Sequence, residues 1–94
     1  MSNNTKYHQL FEYLDEAEKL SRQFTGGYSN HFFSAEDFHC ALTKSTEALK
    51  LGDKVQLEKL YIWFAPTSSW DDLIGMDGKD LANKIFELIC ILRK

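Results

Sequence analysis

The residues able to do chemistry in this 94-residue chain are three histidines, two cysteines and a scatter of carboxylates. His8, His31 and His39 lie far apart, and neither HExxH nor CxxC occurs, so no metal-ligand spacing is present. Asp71, Asp72, Asp77 and Asp80 look like a calcium loop at first glance. Counting back from Gly78 puts Leu73 at the first ligand position and Gly75 at the third, so the EF-hand register fails. Cys40 follows His39 directly, and adjacent residues on a helix point in different directions. A thiol on the shoulder of an amphipathic helix reads as packing rather than as a nucleophile. No GxSxG, phosphate-cradling loop or dinucleotide fingerprint is present. Asp71 and Asp72 are consecutive and diverge, so they do not face each other as an acid/base pair. The chain is expected not to be an enzyme, and to use neither cofactor nor metal.

What remains is recognition. Trp70-Asp71-Asp72, with Tyr61 and Trp63 upstream, sets aromatic rings beside carboxylates. Rings give stiff contact area and carboxylates give steering and charge-assisted hydrogen bonds, which suits a basic partner. Trp70, Asp71 and Asp72 are therefore the first candidate contacts. Glu12, Asp15 and Glu16, with Glu18, form an acidic face on the first helix and are the second. A structural reading stands beside each. Trp63 is expected to fill the core, and Trp70 would then fold the loop down on it. Asp71 and Asp72 would cap a short turn or the following helix, and the acidic face would be merely solvated.

These residues are positioned by helices. Tyr7, Leu10, Phe11, Leu14, Ala17, Ser21 and Phe24 recur at spacings of three and four, which predicts a helix over about 5–24. Gly26-Gly27 ends it, and His31-Phe32-Phe33 is expected to plug back onto the core. Ser34 caps a second helix over about 35–51, with Phe38, Ala41, Leu42, Ser45, Ala48 and Leu49 inward and Gly52 as the stop. Asp53 caps a third over about 54–65, which Pro66 terminates. Its last two turns are apolar all round, so one face is central or meets a partner. Asp77 is expected to cap a fourth, over about 78–93. Ser69 opens one further turn of helix near Trp70. No segment alternates convincingly as a strand. The expected fold is all-α: one domain over residues 1–94, a bundle of four main helices with an extra short turn.

Composition agrees. An apolar share of 44% is enough for a core, and 94 residues leave no room for a second one. A net charge of −3 disfavours direct nucleic-acid binding, which needs surplus lysine and arginine. The polar N-terminus lacks a signal sequence and no apolar run is long enough to span a bilayer, so a cytoplasmic chain with reduced thiols is expected.

The run Leu60-Tyr61-Ile62-Trp63-Phe64-Ala65-Pro66-Thr67, then Trp70-Asp71-Asp72 and the tail Asp80-Leu81-Ala82-Asn83-Lys84-Ile85-Phe86, resembles a family of small, little-characterised bacterial proteins. The resemblance covers the second half of the chain. Such proteins look like immunity proteins of polymorphic, contact-dependent or type VI-delivered toxin systems. The resemblance implies a cognate toxin as partner, and no site residue is carried over from it. Missing export signals favour a toxin acting in the cytoplasm, such as a nuclease, whose basic groove an acidic inhibitor could fill. Two further readings stand beside this one. The first is a helical adaptor or a homodimer through the apolar end of the third helix. The second is a small enzyme or ligand-binding domain with a pocket near Trp63 and His39.

Overall fold

The computed structural model describes residues 4–24, 32, 34–65 and 69–93. Among them every regular element is helical: α1 (Asn4–Ser21), α2 (Ala35–Lys50), α3 (Gln56–Phe64), α4 (Ser69–Leu73), a turn of 3-10 helix (Gly75–Gly78) and α5 (Lys79–Leu92). The glycine pair at 26–27, His31, Phe33 and Pro66 lie outside the described residues.

The caps largely follow the sequence. Ser34 is extended, and its hydroxyl accepts from the Asp37 N–H at 3.2 Å. At the other end of α2, Asp53 N–H reaches the Ala48 carbonyl and Gly52 N–H the Leu49 carbonyl. That pair of bonds is a Schellman closure, and Gly52 supplies the left-handed residue at φ 103°. Asp53 accepts from Val55 N–H and from the Gln56 amide, so it starts α3 as expected, although the regular helix begins two residues later. Ala65 is extended at ψ 150°, as a residue before proline must be. Asp77 is not the cap of α5. It lies within the 3-10 turn, and the capping position is Gly78, which makes no side-chain cap bond.

The four long helices pack in the cyclic order α1, α2, α3, α5. Each pair runs antiparallel. Lys50 at the end of α2 bonds Asp15 of α1 at 2.9 Å, while His39 near its start meets Ser21 at the end of α1. Ser45 of α2 donates to Gln56 at the start of α3 at 2.7 Å, and Phe38 stacks edge-on against Trp63. Glu58 at the start of α3 pairs with Arg93 just past α5, and Tyr61 stacks on Phe86 at 5.1 Å. Leu10, Leu14, Phe38, Leu42, Leu60, Ile85 and Ile89 are fully buried at the centre, on the stripes that the periodicity predicts.

The nine residues of α3 span only about 14 Å, against about 27 Å for the 18 of α1. One corner of the bundle is therefore left half covered. Phe32 and α4 fill it. Phe32 lies 5.1 Å from Phe38 and 5.3 Å from Trp63, which is the plug expected of that segment. The apolar surround of α3 is thus mostly used internally, with Tyr61 on Phe86 and Trp63 between Phe32 and Phe38. Of its apolar residues inside the regular helix, Ile62 is the exposed one.

Arg93 also ties the bundle at its far end. Its Nε and Nη2 donate to both Glu58 oxygens at 2.8–3.0 Å, and its guanidinium lies 3.9 Å from the centre of the Tyr61 ring. These hydrogen bonds hold the Glu58 carboxyl below the usual glutamate value and Arg93 above its own.

Candidate functional site

The Trp70 region is built on a short helix whose two large apolar residues, Trp70 and Leu73, both turn inward. Trp70 is only 1% exposed. Its ring lies 5.0 Å from Phe64 and 6.0 Å from Phe38, closing the corner that α3 leaves open. The indole N–H donates to the Gly78 carbonyl at 3.0 Å. Gly75, at φ 70°, lets the chain reverse after Ile74 so that Gly78 comes back over the ring. A Cβ on residue 78 would stand 2.5 Å from Trp70 Cζ2, so only glycine fits there. As a candidate contact, Trp70 is therefore corrected. The ring has almost no surface for a partner, because the void beside α3 takes it.

What the buried ring does is hold up an edge. Asp71 and Asp72 on α4, Asp77 on the 3-10 turn and Asp80 on the first turn of α5 are all exposed. Met76, at 80% exposure, stands in the middle of this ten-residue stretch. Glu36 and Asp37, in the first turn of α2, belong to the same end of the molecule. The reason is topological. In an antiparallel bundle α2 and α5 both start at this end, and each helix start favours carboxylates.

The acidic face of α1 is partly neutralised. Asp15 pairs with Lys50 at 2.9 Å, Glu18 with Arg22 at 3.0 Å, and Glu12 faces His8 at 3.1 Å. Glu16 is exposed and, among the described residues, makes no ion pair. The surface around Asp71 and Asp72 also carries Lys79, exposed between Asp77 and Asp80.

The structure also makes one chemical pairing that spacing did not reveal. Ser21 Oγ lies 2.9 Å from His39 Nδ1. Its single proton goes to the Glu18 carbonyl at 3.0 Å, so His39 Nδ1–H is the donor to the serine. That polarity is the reverse of what a serine nucleophile needs, and Ser21 is fully buried. The pair pins α2 to α1. The signal in the sequence was a serine on an otherwise apolar stripe. Trp63 and His39 do not share a pocket. Trp63 borders a groove between α2 and α3 with Lys44 and Lys59, whereas His39 borders a separate recess with Ser21 and Cys40. Both cysteines are free thiols. Among the described residues no three His, Cys, Asp or Glu side chains are placed to hold a metal, and no helix is long and apolar enough to cross a membrane.

The class these features define is an antiparallel four-helix bundle with an acidic end. No family model matches the chain, and no match was found among curated proteins or solved structures.

Proposed function

We propose that the chain is an immunity protein that binds and neutralises a cognate toxin acting in the cytoplasm, with a basic nuclease as the favoured class. It works by occupying the toxin's active site or substrate surface and contributes no chemistry of its own. The observation that carries this reading is the acidic edge: Asp71, Asp72, Asp77 and Asp80 exposed around a projecting Met76, on a base fixed by the buried Trp70. Carboxylates placed there compete for a groove built for phosphates, and an unbranched thioether adapts to the surface it meets. Glu12 and Glu16 on α1 are the secondary contact. Trp70 acts from beneath, as support.

The experiment pairs the chain with the product of a neighbouring toxin gene. Co-expression should protect cells from that toxin, and the two proteins should bind directly. Asp71→Lys with Asp72→Lys should weaken binding at least about 10-fold while the far-UV circular dichroism stays helical. Unchanged affinity removes this edge as the contact. Failure to protect or bind removes the immunity reading itself.

A further inference from the structure

The end of the bundle opposite the acidic edge carries two apolar side chains that helix formation does not require. Leu51, the last residue before Gly52, is 89% exposed, and Val55, at the start of α3, is 67% exposed. The Schellman closure and the Asp53 cap are made by backbone groups and by Asp53. Polar residues at 51 and 55 would serve the turn equally well. Single exposed leucines are ordinary, but two within five residues beside an apolar hollow form a patch.

The hollow is an open concavity of about 370 Å³, floored by Tyr7, Phe11 and Leu49 and rimmed by His8, Gly52 and Lys54. Leu51 projects from the residue next to that rim. Knob and hole therefore sit side by side on the same surface. Such a surface is complementary to itself about a twofold axis, because the knob of each copy enters the hole of the other. The charges agree with this. Glu47, one helical turn before Leu51, and Lys54, on the rim, make no ion pair among the described residues. Each can find its opposite on a second copy.

We propose that this end is a homodimer interface, with Leu51 of each copy seated in the Tyr7–Phe11–Leu49 hollow of the other and Glu47 facing Lys54 across the axis. The pairing leaves the acidic edges of both copies facing outward. It differs from a dimer through the apolar end of α3, where Tyr61 and Trp63 are already covered.

Sedimentation velocity on the full chain over a concentration series tests this. The wild type should move from 10.9 kDa toward twice that mass. Leu51→Lys and Val55→Lys should each weaken association by about 10-fold or more, because each adds an ammonium to a face where Lys54 and Lys50 already stand over the Tyr7 and Phe11 rings. Both should keep the wild-type helical signal. Glu47→Lys alone and Lys54→Glu alone should each weaken the dimer, and the two together should restore it. A wild type that stays monomeric at millimolar concentration overturns the proposal. Association that survives Leu51→Lys, or a charge swap that fails to restore it, overturns it as well.

Discussion

The indole N–H of Trp70 donates to the carbonyl of Gly78, and the same ring fills the space where a side chain at position 78 would stand. The two residues act as one lock, eight positions apart. The tryptophan needs the glycine's missing Cβ, and the glycine's carbonyl needs the tryptophan's proton. The acidic edge is threaded between them, so its shape depends on the lock although neither residue belongs to its surface.

Gly78→Ala should cost about 1–3 kcal/mol of stability, since the new methyl overlaps ring atoms in a packed site. Trp70→Phe should cost at least about 1–3 kcal/mol, because the Gly78 carbonyl loses its donor in a buried setting. Phenylalanine is smaller, so the double variant should lose less than the two single losses together. Urea denaturation of the four proteins gives the coupling. Strict additivity would mean that the ring and the glycine do not share this space.

Gly52→Ala addresses a different constraint. Nothing lies within 4 Å of a Cβ there, so any loss comes from φ 103° alone. An L-residue in left-handed backbone costs about 1–2 kcal/mol. Asn should cost less than Ala, because its side chain bonds locally in that region. Thermal melts of the two variants rank them, and an equal loss would point away from backbone conformation as the cause.

Acid should weaken the Glu58–Arg93 tie in a defined direction. Hydrogen bonds from Arg93 lower the folded-state pKa of Glu58 below its ordinary 4.5. Between the two values the unfolded chain binds more protons than the folded one, so stability falls as pH drops. The contribution is complete above pH 4.5 and fades as the pH falls through the lowered folded value. Glu58→Gln should flatten that part of the pH–stability curve. A curve superimposable on wild type would show the pair to be inert. Both groups are solvent-exposed, so added salt should shrink the effect.

Much of the fold was legible because it is local. The stripes Leu10–Leu14–Ala17 and Ile85–Ile89–Leu92 predict their helices by spacing, and Ser34, Gly52 and Asp53 mark ends through bonds to residues within five positions. The fate of Trp70 was not local. Ser-Ser-Trp-Asp-Asp reads as a polar loop with a ring to offer. Whether the ring is offered depends on a void left by the nine-residue length of α3 and on a glycine eight residues later. The Asp77 cap failed for a related reason. A 3-10 turn occupies the place where a free loop was expected, and Gly78 inherits the capping position.

Polar residues on apolar stripes carry information of their own. Ser45 donates to Gln56 Oε1 at 2.7 Å in a buried setting. Ser45→Ala should leave that oxygen without its donor and cost about 1–3 kcal/mol. Changing both residues to apolar ones of similar shape should recover much of the loss, since neither desolvated group then remains. Chemical denaturation distinguishes the two cases.

The antiparallel order of the helices has an electrical consequence. Exposed carboxylates outnumber basic residues where α2 and α5 begin, while at the opposite end of a body 41 Å long Lys50 and Arg93 are paired with Asp15 and Glu58 and Lys54 stands over the Tyr7 ring. Such a molecule carries a permanent dipole along its length. Any positively charged surface would exert a torque on it before contact, turning the α4 end forward.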